Sequence, residues 1–227
     1  MEAGRVARPA PDGYRAHRAR LVAAVERRGV RDARVLAAVG TVARHLFVPE
    51  ALWARAYDDA ALPIGGGQTI SQPSTQARCL AALRLRASDR VLEVGTGSGY
   101  QTALLAQLAA QVFSVERVAR LAEGARAALQ AAGIPNVSLL LGDGTLGWRD
   151  YAPYDAIVVA AASPDVPRPL LDQLADGGRM LLPVGERANQ VLTLVTVSGS
   201  GEGRRVTRTR MAGARFVPLL GTFGFDG

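Results

Sequence analysis

The sequence predicts an α/β protein: a doubly wound, mostly parallel sheet with a helical extension before it and an antiparallel hairpin after it. Three observations carry this. From Arg90 onward, short apolar runs alternate with amphipathic segments of about 10–15 residues, the texture of βα units. A glycine-rich stretch, VLEVGTGSGY, follows the first of those runs and opens the first of those helices. Past Gly185 the period changes to strand, turn, strand.

Taken in order, residues 1–13 hold Pro9, Pro11 and Gly13 and read as a flexible leader. Tyr14 to Arg28 is helical, with Leu21, Val22 and Val25 on one face, and Gly29 is its stop signal. DARVLAAV is a second short helix, and RHLFVPEALWARAYDDAALPI breaks at Pro49 and Pro63. The polar run IGGGQTISQPST, residues 64–75, shows neither a helix period nor strand alternation and reads as a loop. Strands are expected at 91–94, 112–116, 137–141 and 154–161, with helices at 99–110 and 118–132. RPLLDQLADGG reads as a helix stopped by Gly177 and Gly178, and RMLLPVG as the next strand. QVLTLVTV and RRVTRTRM, joined by SGSGEG, form the hairpin.

Of 227 residues, 48% are hydrophobic, enough for a sizeable core, and no apolar run approaches the ~18–20 residues of a membrane span. The first twenty residues lack the apolar stretch of a secretory signal. Cys79 is the only cysteine, so an internal disulfide framework is excluded, and the helical QARCLAAL makes it a small buried hydrophobe. The net charge is +7, and all 27 basic residues are Arg, which points to coding composition more than to a binding device. Nine of them fall in residues 1–34, without interleaved aromatics or a nucleic-acid module; a solvated helix face accounts for them. Neither a nucleic-acid nor a membrane partner is expected, and no Cys/His set has metal-ligand spacing.

Gly95, Gly97 and Gly99 after a buried strand make a Rossmann-like ligand loop. A dinucleotide fingerprint would place its third glycine at position 100, which is Tyr100. Glu93 just before the loop disfavours a pyrophosphate and favours a cationic ligand. S-adenosylmethionine, with a sulfonium and an α-ammonium and no phosphate, fits that preference. Glu116, ending the second strand, is placed for ribose hydroxyls; Asp143, in the GDG that ends the third, is placed for an adenine amino group. Glu93, Glu116 and Asp143 on three successive strand ends resemble the class I S-adenosylmethionine-dependent methyltransferases.

The resemblance narrows with YDDAALPIGGGQTISQP, IPNVSLLLGDGTLGW, YDAIVVAAASPDVPRPLLDQLADGGRMLLPVG and RFVPLLG. With VLEVGTGSGY, in this order from Phe47 to Gly221, they resemble the protein-L-isoaspartate O-methyltransferase family. GQTIS is the most specific of them. The resemblance implies a leader over 1–13, a helical and loop region over 14–89 carrying the substrate loop, and a methyltransferase core over 90–227. It implies a cytoplasmic, monomeric enzyme that uses S-adenosylmethionine to methylate isoaspartyl residues in proteins and peptides. It assigns the active-site role to Ser71, with Gln68, Thr69, Ile70, Ala161, Ala162 and Leu220 toward the substrate. Glu93, Gly95, Thr96, Gly97, Ser98, Gly99, Glu116, Arg117, Asp143 and Gly144 are expected at the cofactor.

The chain departs from the family at Ser74, Thr75 and Gln76, where an aromatic or His and apolar residues are usual, and at Leu220, where many relatives have Thr. Three alternatives remain on sequence grounds. One is a relative forming aspartimide in a dedicated ribosomal peptide, another an NAD-dependent oxidoreductase, and the third a non-catalytic binder that retains the fold.

Overall fold

The computed structural model describes residues 11–226, so residues 1–10 of the expected leader lie outside the described residues. Pro11–Tyr14 form a 3₁₀ turn leading into α1 (Arg15–Arg27), which buries Leu21 and Val25. Gly29, at φ 95°, lets the chain leave that helix. Asp32 caps α2 (Ala33–Thr41) by accepting from the amides of Arg34 and Val35 at 2.9 and 3.1 Å. The segment after it, broken by Pro49, is two 3₁₀ turns, Arg44–Phe47 and Glu50–Arg55.

The polar run expected as a loop is instead a hairpin of β1 (Leu62–Gly65) and β2 (Gln68–Ile70), with Leu62 opposite Ile70 and Pro63 opposite Thr69. Gly66 and Gly67 turn it at φ 62° and 70°, the left-handed values a two-residue hairpin turn demands. Strands of four and three residues are too short to show alternation. Pro73 then starts α3 (Pro73–Leu83), which buries Cys79, whose thiol is pushed up to about 11 by burial.

The sheet begins with β3 (Arg90–Val94), followed by α4 (Tyr100–Ala106), β4 (Gln111–Glu116), α5 (Ala119–Ala131), β5 (Val137–Leu141) and β6 (Tyr154–Val159). Then come α6 (Arg168–Asp172), β7 (Leu174–Glu186), β8 (Asn189–Ser198) and β9 (Arg205–Ala214). The order across the sheet is β5-β4-β3-β6-β7-β8-β9, parallel from β5 to β7 and antiparallel from β7 to β9. The order reverses between β3 and β6, where an open α/β sheet has its crevice.

Each central strand is buried on both faces, as parallel strands are. Val91, Val112 and Val158 face a cluster shared with α1 to α5; Leu92, Phe113 and Ile157 face the side of α6. The helical extension and the sheet therefore share one core. β9 is an edge strand with exposed side chains, among them Arg205, Arg208 and Arg210, charges that discourage pairing with another chain.

Two helices are shorter than expected. The helix expected over 99–110 ends at Ala106. The helix expected to run to Gly177 stops at Asp172, where Gln173 takes over the chain's hydrogen bonds. Its amide donates to Leu146 O and Pro169 O at 2.8 and 2.9 Å and accepts from Trp148 N at 2.9 Å. Gly177 and Gly178 do not stop a helix; they form a bulge inside β7, and a Cβ at Gly178 would stand 2.7 Å from Ala175 O.

Arg179 on β7 ties the end of α3 to the sheet. It donates to Leu83 O, Asp155 O and Arg84 O at 2.7, 2.9 and 3.0 Å and pairs with buried Asp89. Arg179→Met leaves that carboxylate buried without its cation, held by the Arg86 amide at 2.6 Å. The expected loss of stability is about 3–5 kcal/mol, read from urea unfolding; a loss under about 1 kcal/mol would show that Asp89 finds water or another donor.

Candidate active site

The C-terminal ends of β3, β4 and β6 open into a cavity of about 260 Å³. Its floor is Val94 to Ser98, one wall is Val115 to Val118, and Ala160 and Ala161 follow β6. The hairpin lays Gly67 to Ser71 across the opening, and Val217 to Leu220 close the far side. Residues about 150 positions apart in sequence thus share one enclosure.

Backbone constraints shape the floor. Gly97 and Gly99 hold φ 56° and 86°, and a Cβ at Gly99 would press to 3.2 Å from Ala125 Cβ on α5. Gly99 serves the packing of helix on helix and is off the cavity wall. Glu116 grips the floor from the side: it accepts from Gly97 N at 2.8 Å and Val118 N at 2.9 Å while remaining on the wall.

The sequence profile of the protein-L-isoaspartate(D-aspartate) O-methyltransferase family matches residues 16–223. The chain belongs to that family. It is 49% identical to the protein-L-isoaspartate O-methyltransferase of Syntrophus aciditrophicus, over 95% of this chain and 99% of that one. The corresponding protein of Methanoculleus marisnigri is 53% identical, over 89% and 90% of the two chains. A solved protein-L-isoaspartate O-methyltransferase superposes with a TM-score of 0.81 at 28% identity, covering 91% of this chain and 67% of that chain. A Plasmodium falciparum member of the family, in complex with S-adenosyl-L-homocysteine, superposes at 0.77 with 27% identity, over 90% and 98% of the chains.

Within this methyltransferase, the expected residues divide. Gln68, Thr69, Ile70, Ser71, Gly95, Thr96, Gly97, Ser98, Glu116, Arg117, Gly144, Ala161 and Leu220 all line the cavity. Four do not.

Gly99 is one of the four. Glu93 is the second: it is fully buried beneath the floor, where it accepts from Gln101 Nε2 at 3.1 Å, Thr102 Oγ1 at 2.5 Å and Ser114 Oγ at 2.7 Å. Its carboxylate is held by those three donors and braces the loop from below.

Asp143 is the third. One oxygen accepts from the amide and hydroxyl of Thr145 at 2.9 and 2.6 Å, the other from the amide and hydroxyl of Thr222 at 2.8 and 2.9 Å. Burial raises its pKa, but those four donors outweigh it and hold the carboxyl below its ordinary value. Through these bonds it fastens the segment around Thr222 to the end of β5.

Ala162 is the fourth. It is fully buried, and its amide and carbonyl pair with Val217 O and Leu219 N at 2.8 and 2.7 Å, bridging the loop after β6 to the far wall.

The structure adds residues that the sequence did not single out for the site. Gln76 is 6% exposed, lines the cavity, and its Oε1 has no partner. Ser74, of the same departing segment, is buried off the cavity, its amide bound to Asp59 at 2.8 Å. Leu121 and Val217 to Leu219 supply apolar wall. The histidine His45 stacks on Tyr14 at 4.2 Å and meets Tyr57 Oη at 2.7 Å, so it is no base for this cavity.

Glu93 yields a test in pH. Burial pushes its carboxyl up to about 7, against the pull of Thr102, Ser114 and Gln101. The folded state then holds this proton more tightly than the unfolded chain. The group's contribution to stability is complete below about pH 4.5 and is lost as the pH rises toward 7. Glu93→Gln removes that loss. The difference in urea-unfolding free energy between wild type and variant should change by roughly 3 kcal/mol between pH 4.5 and pH 8. A difference independent of pH would mean that burial leaves this carboxyl at its ordinary pKa.

Proposed function

We propose that this family member transfers the methyl group of S-adenosylmethionine to the free α-carboxylate of L-isoaspartyl residues, with Ser71 positioning that carboxylate. The product methyl ester is the species from which a succinimide closes and the normal backbone is recovered. The observation that carries the proposal is the single cavity in which the Gln68–Ser71 segment faces the glycine loop.

The cavity's chemistry suits the cofactor. S-adenosylmethionine supplies an electrophilic methyl group on a sulfonium. Its other polar groups include an ammonium and ribose hydroxyls, all hydrogen-bond donors. Glu116 offers carboxylate lone pairs beyond the two bonds it makes, and the unpartnered Gln76 Oε1 is a further buried acceptor. Gly144 lets its strand end pack on Val94, where a Cβ would stand 2.5 Å from Cγ1, and Gly95, Thr96 and Ser98 line the cavity beside it. The S-adenosyl-L-homocysteine complex of the Plasmodium falciparum relative supports the same ligand class here.

No general base is needed. A free α-carboxylate titrates near ~3.5 and is an anion at neutral pH. The work left to the protein is to strip its water and hold it. Ser71, Thr69 and Gln68 present hydroxyl and amide donors that orient an anion without the tight pairing of an arginine. An anion and a sulfonium become a neutral ester and a neutral thioether, so charge disappears along the reaction. Apolar wall from Val94, Val115, Leu121 and Leu219 disfavours the separated charges more than the products.

The family resemblance also supports a cytoplasmic monomer, which sedimentation would test. Among the described residues no helix is long and apolar enough to cross a membrane.

Methyl transfer from labelled S-adenosylmethionine to matched peptides tests the reading. An L-isoaspartyl peptide should gain base-labile label and its L-aspartyl twin none. Label in neither, with product still bound, would sink the isoaspartyl assignment and favour a dedicated peptide. Ser71→Ala should cut kcat about tenfold or more with little change in S-adenosylhomocysteine affinity, whereas Glu116→Ala should chiefly weaken that affinity. Equal loss of affinity in both would overturn this division of roles.

A further inference from the structure

Arg44 opens the 3₁₀ turn Arg44–Phe47 and is fully buried. Its guanidinium reaches three carbonyls on two stretches of chain. Nη1 donates to Ala56 O at 2.6 Å, and Nη2 donates to Ala60 O at 3.2 Å and to Ser71 O at 3.1 Å. Its Cζ lies 5.3 Å from the ring centre of Tyr100, the first residue of α4 behind the glycine loop.

Among the described residues no carboxylate comes within ion-pair distance of it. Asp59 is taken by Gln72 Nε2 at 2.9 Å, Ser74 N at 2.8 Å and Arg28 at 3.6 Å, and Asp58 faces Arg55 at 3.5 Å. Burial lowers the Arg44 pKa, and Tyr100, Asp59 and Asp58 pull it back. Arginine stays charged in proteins, so an intact cation sits beneath the Ser71 turn.

A buried cation without a carboxylate is a costly way to fill space; a methionine would fill it with less desolvation. What the guanidinium adds is a planar fork that sets several acceptors at fixed angles to one another. Ile70 before Ser71 is paired with Leu62, and Gln72 and Ser74 after it are held by Asp59; the Ser71 carbonyl itself is held by Arg44.

We propose that Arg44 is a positioning residue for methyl transfer: it fixes the Ser71 turn against the glycine loop and so sets where the Ser71 hydroxyl meets the substrate carboxylate. This rests on the role given to Ser71 above.

The test is a double-mutant cycle on the L-isoaspartyl peptide. Arg44→Lys keeps the charge and most of the volume but loses the fork. It should lower kcat about tenfold to a hundredfold, the scale of a misplacement of about 1 Å, while S-adenosylhomocysteine affinity stays near wild type. Arg44→Lys combined with Ser71→Ala should then be no slower than Ser71→Ala alone, because Arg44 acts through Ser71. Losses that multiply in the double variant would overturn the proposal, as would unchanged turnover in a variant that binds product normally. Arg44→Gln, which buries no charge, runs the same cycle if the lysine variant fails to bind product. Wild type inactive on the peptide would overturn the functional reading, and this inference with it.

Discussion

The shape of the ligand loop depends on a carboxylate that no ligand touches. Glu93 lies under the floor with three side-chain donors around it, and the third, Ser114, is itself 2.6 Å from the Thr96 hydroxyl within the loop. Because the Ser114 proton goes to Glu93, the Thr96 hydroxyl donates to Ser114, and a chain of bonds runs from the loop down into the sheet. A buried carboxylate is tolerated when it is this well satisfied. Glu116 then holds the loop from the side and Glu93 from below, and the glycines can keep left-handed backbone without collapsing into the cavity.

Around that fixed floor the other parts are brought in by backbone contacts. The hairpin is tied through Ser71 O to Arg44, the loop after β6 is tied through Ala162 to Val217 and Leu219, and the tail is tied through Thr222 to Asp143. Each tie spans a long stretch of sequence, and each ends on a group of the main chain. Side chains facing the cavity, such as Gln76 and Leu220, are therefore not what keeps the walls in place.

The sheet was legible because its physics is repetitive: Val91, Leu92 and Val94, or Ile157 to Val159, can only be strands buried on both faces. Much of the site was legible too, since glycines after a strand and a polar run with small donors have few other uses. Two residues expected at the cofactor that are off the cavity wall share a feature. Glu93 and Asp143 stand at strand ends, and each is held by donors, such as Ser114 or Thr222, that its own stretch of sequence does not announce. Those donors sit 21 and 79 residues away, beyond any local pattern. The shortened α6 has the same origin, because Gln173 is capped by Leu146 and Trp148 across space.

The tail wall also places the enzyme's competence in time. A chain is made from its N-terminus, and Val217 to Leu220 are among the final parts of this cavity to emerge. Asp143 is made 79 residues before the Thr222 it binds, so during synthesis its carboxylate waits for a partner still inside the ribosome. Up to that point the glycine loop faces an enclosure with one side missing. The strands and loop that carry the cavity floor are therefore made before the wall that completes the enclosure.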